Sequence, residues 1–133
     1  MAIVQTSPNK MTPEVLEDRF VAFAVRIIQL AKHLESDKTG QTVALQVLRA
    51  GTSPAANYAE ARSAESKADF VHKLRIVIKE LNETAVWLRI IDKAGLVASN
   101  KLVELNNECE ELKRIIGASL RTARDHLASD NKQ

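Results

Sequence analysis

From Phe70 to Ala94 the chain carries neither Gly nor Pro, and apolar residues recur at Leu74, Ile78, Leu81, Ala85 and Leu88. That 3.6-residue spacing predicts one long helix. Ser66 is its N-cap, with Asp69 three residues on approximating a capping box, and Gly95 is placed as its C′ residue. At 1.5 Å per residue such a helix is about 40 Å long. The apolar residues Ile76, Val77, Val86, Trp87, Ile90 and Ile91 spread beyond a single core stripe. An apolar arc much wider than about 100° marks a helix that is central or covered by another chain. A four-helix bundle has no central helix, so Ile76, Val86, Trp87 and Ile90 are read as an oligomer interface. The alternative is a wide core with Trp87 at its edge.

The rest of the chain repeats the helical pattern. Thr12, Pro13 and Glu14 start a helix with a hydroxyl cap, Pro at the first position and an acid at the positive dipole end. Leu16, Phe20, Phe23, Ile27, Leu30, Ala31 and Leu34 form its stripe, and Ser36 to Gly40 reads as a loop. A second helix starts near Gln41 or Thr42 and carries Val43, Leu45, Val47 and Leu48. A fourth starts near Ser99 or Asn100, with Leu102, Leu105, Cys109, Leu112, Ile116 and Ala123 as a heptad-like seam. Long helices and short loops predict an all-α, antiparallel up-down-up-down four-helix bundle over residues 12–128, with disordered tails at 1–11 and 129–133.

The second helix breaks the pattern. Pro54 lacks an N–H and its ring clashes with the carbonyl four residues back. Ser53 is a good N-cap, so the sequence predicts a helix kinked or broken near Gly51–Pro54. Beyond the break, Ala55, Ala56, Ala59, Ala61 and Ala64 offer a small-residue surface for close helix approach. A renewed helix N-terminus at Gly51 and Thr52 is also a weak candidate anion cradle.

Composition narrows the function classes. Of the 133 residues, 45% are hydrophobic and only 4% aromatic, so the core is aliphatic. A net charge of +2 is too small for bulk attraction to nucleic acid; only a local patch would serve. The single cysteine, Cys109, excludes an intrachain disulfide framework and sits among leucines as a small core residue. No apolar run reaches the roughly 20 residues of a membrane span, and residues 1–11 lack the apolar run of a signal peptide. A cytoplasmic location is the expectation.

Enzyme chemistry finds little support. Di-iron bundles need paired Glu-x-x-His motifs, and the nearest match, Asp69-x-x-His72, occurs once. There is no Gly-rich phosphate loop and no nucleophile arrangement. The chain is therefore read as non-enzymatic, with no metal and no cofactor; a metal-dependent enzyme is the remotest alternative. A basic surface is the stronger signal: Arg62, Lys67, His72, Arg75 and Lys79 are the candidate nucleic-acid-binding residues. His72, Arg75 and Lys79 share one helix face at spacings of three and four. A merely solvated face, with pairs such as Asp69 and Lys73, is the competing explanation.

Arg49-Ala50-Gly51-Thr52-Ser53, then Ala56-Asn57 and Glu60-Ala61, resemble the signature of the four-helix proteins encoded in intervening sequences of bacterial 23S ribosomal RNA genes. The resemblance continues through Ser66, Asp69-Phe70, Lys73-Leu74, Lys79-Glu80, Glu83-Thr84 and Trp87-Leu88, spanning about Phe20 to Leu96. Pro54 and Ala55 depart from it, standing where a branched aliphatic residue and a glycine are more usual. The resemblance implies a left-turning antiparallel bundle assembled as a homopentamer, and kinship with the accessory protein of diversity-generating retroelements. That relative partners a reverse transcriptase and nucleic acid. No reaction is implied.

The polar positions within the resemblance, Arg49, Asn57, Glu60, Lys73, Glu80 and Glu83, are expected to form a buried or interface network, with Arg49 paired to Glu80 or Glu83. Buried charges of this kind must be paired. The resulting expectation is an oligomeric scaffold that binds structured RNA or DNA. The alternative is an adaptor that docks a protein partner such as a nucleic-acid polymerase.

Overall fold

The computed structural model describes residues 11–131. Within them the chain forms helices α1 (Pro13–His33), α2 (Lys38–Arg62), α3 (Lys67–Lys93) and α4 (Val103–Asn131), with a short 3₁₀ turn at Ser99–Lys101. α1 packs on α2, α2 on α3, α3 on α4, and α4 more thinly on α1. This is the expected four-helix bundle, with α1 and α3 at opposite corners. Residues 1–10 and 132–133 of the two expected tails lie outside the described residues, while 129 to 131 belong to α4.

The caps follow from the sequence. The Thr12 hydroxyl accepts from the Val15 N–H at 3.1 Å, and the Ser66 hydroxyl from the Asp69 N–H at 3.0 Å. Gly95 closes α3 with φ 69°, the Leu96 N–H donating to the Ile91 carbonyl and the Gly95 N–H to Asp92. That pairing is a Schellman motif, and it needs the left-handed residue that glycine supplies. α2 begins earlier than expected, at Lys38, because the Asp37 carboxylate caps the Gly40 N–H at 2.7 Å.

The α1 stripe is buried as read: Leu16, Phe20, Phe23, Ile27, Leu30, Ala31 and Leu34 all lie in the core. So are Leu102, Leu105, Cys109, Leu112 and Ile116 in the fourth segment, whereas Ala123 is half-buried. The inner line of α3 is rotated from the expected one. Leu74, Val77, Leu81, Thr84, Leu88 and Ile91 are fully buried, while Ile78 and Ala85 are only partly so. α3 packs on both α2 and α4, so its centre line faces between them. Thr84 is accommodated because its hydroxyl donates to the Glu80 carbonyl at 2.7 Å.

The broken form of α2 is not the one the chain adopts: the helix is continuous, with Pro54 buried in its interior. Two side-chain donors supplement the backbone ladder around the missing N–H. Thr52 donates its hydroxyl to the Leu48 carbonyl at 2.7 Å. Asn57 donates its amide to the Ser53 carbonyl at 3.1 Å and to the Ser53 hydroxyl at 2.8 Å. Ser53 is thus no N-cap, and Gly51 and Thr52 have no helix N-terminus at which to hold an anion. Gly51 instead lets α1 and α2 approach, since a Cβ there would sit 2.7 Å from Ile27. Gly51→Ala should therefore lower stability in urea unfolding. The gain in helix propensity of about 1 kcal/mol is outweighed by overpacking of about 1–3 kcal/mol. A stabilised variant would show that Ile27 yields freely.

Candidate binding faces

The outer face of α3 is predominantly basic. Its ionisable side chains that face solvent openly are Lys67, His72, Arg75, Lys79, Arg89 and Lys93. The acids of the same helix, Asp69, Glu80, Glu83 and Asp92, are half-buried along its flanks. From His72 to Lys93 the stripe runs about 32 Å at the α-helical rise. Three of the five residues expected to bind nucleic acid, His72, Arg75 and Lys79, stand together here. The other two are turned to other partners. Arg62 donates to Glu14 at 2.9 Å and to Glu17 at 3.1 Å, and Lys67 pairs with Asp130 of α4. Arg89 and Lys93 belong to the face and were missed, although their spacing from Lys79 was readable as later turns of one stripe.

Of the buried or interface network expected, the burial is not found within the single chain: the polar residues lie at its surface. Arg49 pairs with both candidate acids, Glu80 at 3.4 Å and Glu83 at 2.5 Å, yet its side chain remains 51% exposed. The hydrogen bond from Arg49 holds the Glu83 carboxyl below its ordinary pKa. Lys73 reaches Glu60 at 3.8 Å, and Asn57 is occupied within α2. The long side chain of Arg49 spans the α2–α3 groove because both helices put polar residues at its rim, so nothing requires burial. Arg49→Ala should lower the melting temperature, and an unchanged melting temperature together with an unchanged oligomer size would remove its register role. Because the folded-state pKa of Glu83 is depressed, its contribution is present at neutral pH and lost as pH falls through that lowered value.

Two strips of apolar side chains are left uncovered. On α3, Val86 is 49% exposed and Ile90 41%, while Trp87 and Ile76 are half-buried, Trp87 packing against the core. On α1, Val21, Val25 and Ile28 are 50%, 47% and 40% exposed. Their spacing of four and three puts them on one face. The α1 strip was missed; its signal was a second apolar line on a helix whose core stripe was already complete.

Other chemistry is sparse. Burial pushes the Cys109 thiol up to about 12, and its Sγ lies 3.5 Å from the Leu81 carbonyl, as suits a core residue. Among the described residues no three His, Cys, Asp or Glu side chains gather as a metal site, and no helix is long and apolar enough to cross a membrane.

The family model described as 23S rRNA-intervening sequence protein matches residues 17–118. A crystal structure from Bacteroides thetaiotaomicron, described as a protein of unknown function from the S23 ribosomal protein family, is similar with a TM-score of 0.79. It is 35% identical over 84% of this chain and 99% of its own. No curated protein matches the chain.

Proposed function

Given that the chain belongs to the 23S rRNA-intervening sequence protein family, we propose that it is a non-enzymatic, self-assembling scaffold whose outer α3 face binds structured RNA. The observation that carries the reading is the solvent-open cluster of His72, Arg75 and Lys79 on α3, with Arg89 and Lys93 beyond the apolar Val86. Solvent-open cations a turn apart, as at Arg75 and Lys79, suit a phosphate backbone and are largely indifferent to base sequence. Repetition around an assembly multiplies such a modest patch through avidity.

The apolar strips favour self-association. Because α1 and α3 stand at opposite corners, joining the strip of one copy to that of the next is a heterologous contact. Contacts of that kind propagate from copy to copy and form a ring when the rotation between copies closes. A homopentamer is the assembly proposed, with Val86 and Ile90 taken up in the contact and His72, Arg75 and Lys79 left open for RNA.

Crosslinking in cells, with bound RNA and bound protein both sequenced, tests the reading. Recovered RNA whose retention falls with salt supports it. Recovery of one protein partner without RNA would replace it with the adaptor reading.

A further inference from the structure

The basic face of α3 continues onto α4. The two helices pack antiparallel, anchored by Lys67 with Asp130 and, farther along, by the Cys109 Sγ at 3.5 Å from the Leu81 carbonyl. Counting along both helices from these anchors brackets Arg121 between the levels of Asp69 and Ile76, and Arg124 between those of Ser66 and Lys73. His72 and Arg75 stand at the same height. The flanks match as well. α4 turns Glu108 to Arg19 of α1 and Glu104 to Arg26. By the helical repeat, Arg121 and Arg124 lie about 140° and 160° round α4 from Glu108, away from α1. On α3, Lys73 marks the α2 side by reaching Glu60, and Arg75 lies about 160° round from it. Arg75, Arg121 and Arg124 therefore border the α3–α4 groove from its two rims, all three exposed. Among the described residues neither Arg121 nor Arg124 pairs with an acid, whereas Lys113 is held by Glu110 and Arg114 by Glu111. Asp130 is taken by Lys67, and Asp125 stands farther round from α3 than either arginine.

We infer that this two-helix groove is the RNA site and that its ligand is a double-stranded segment. The inference rests on the RNA-binding reading of α3 and extends it to Arg121 and Arg124. Packed helix axes lie about 8–10 Å apart, so the cations form two rows rather than one. Two rows can each follow one of the phosphate strands that border a groove, and duplex RNA is recognised mainly by such backbone contacts and by shape. A single strand is held instead by aromatic side chains on which its bases stack. This chain offers no such platform. Phe20, Phe23 and Tyr58 are buried, Phe70 and Trp87 are half-buried, and the sequence holds no other Phe, Tyr or Trp.

Binding of the 133-residue chain to a blunt RNA duplex of about 20 base pairs, and to each of its separated, unstructured strands, tests both parts. The duplex should bind about tenfold more tightly than either strand. Arg121→Glu with Arg124→Glu should weaken duplex binding by about tenfold and make its salt slope shallower by about 1–2, as should Arg75→Glu with Lys79→Glu. Arg121→Gln with Arg124→Gln, which sets no new charge beside Asp125 and Asp130, should show a smaller loss in the same direction. Duplex affinity that falls with the α3 pair but not with either α4 pair overturns the two-helix groove and leaves the α3 reading standing. Strands bound as tightly as the duplex overturn the choice of ligand. Displacement of the duplex by polyglutamate at equal charge concentration does so too, and assigns the groove to an acidic protein segment. No binding of either RNA removes this inference together with the reading beneath it.

Discussion

Val86→Glu combined with Ile90→Glu is expected to reduce the assembly to single chains of 14.7 kDa while leaving helix content and melting cooperativity intact. The reason lies in where these residues stand. In the single chain they face water, at 49% and 41% exposure, so a carboxylate there meets solvent and costs the fold little. In an assembled contact the same carboxylates are desolvated without partners, at a cost of several kcal/mol, or a thousandfold and more in association. Analytical ultracentrifugation reads the outcome as a fall from about five times the chain mass to one. Val25→Glu, on the far corner of the bundle, is expected to do the same. If each strip is half of a heterologous contact, as proposed, mixing the two variants should restore one interface per pair and yield dimers that cannot close. Full-sized assemblies of Val25→Glu would leave an isologous α3–α3 contact as the arrangement. A wild-type chain that sediments alone would remove the assembly altogether.

The bundle was legible because each helix announces itself twice, by periodicity and by caps. Thr12, Ser66 and Gly95 do in space what their side chains or their freedom at positive φ predict. Pro54 was misleading for a definable reason. Local rules count the lost N–H and the ring clash, but not the tertiary contacts that hold a helix together across them. Gly51 against Ile27, and Thr52 and Asn57 as auxiliary donors, make a continuous α2 the better solution. Such contacts link residues far apart in sequence or depend on geometry that already exists.

The binding faces were half legible. The pairing of Arg49 with Glu80 and Glu83 could be anticipated because long polar side chains on adjacent antiparallel helices must go somewhere. Its exposure could not, since burial at a groove rim depends on interhelical distance. Arg62 and Lys67 show the opposite failure. Both read as free cations, and their acids come from segments distant in sequence, Glu14 and Glu17 at one end and Asp130 at the other. Sequence spacing sees only partners on the same helix. The basic character of the α3 face needed the structure as well, because it depends on Asp69, Glu80, Glu83 and Asp92 being more buried than Arg75, Lys79, Arg89 and Lys93.

That sorting of charge makes the second large effect a test of the α3 face itself. Arg75→Glu with Lys79→Glu should cost the chain most of its hold on structured RNA, by about tenfold for a single chain and about 10²–10⁴ for a ring in which every copy is altered. Filter binding at a series of salt concentrations separates this from a general loss of charge. If the two residues contact phosphates, the slope of log affinity against log salt should become shallower by about 1–2 per binding face, at roughly 0.7–0.9 for each phosphate no longer neutralised. Arg114→Glu supplies the control: it removes the same sign of charge from α4, where the residue is engaged with Glu111. Bulk charge alone would make the control weaken binding as much per charge as the α3 variant does. A local face predicts that the control binds nearly as wild type. Both α3 residues are exposed and far from the core, so circular dichroism should be unchanged. If the altered chain keeps its RNA at all salt concentrations, the basic face of α3 is only a solvated helix surface, and the binding reading fails with it.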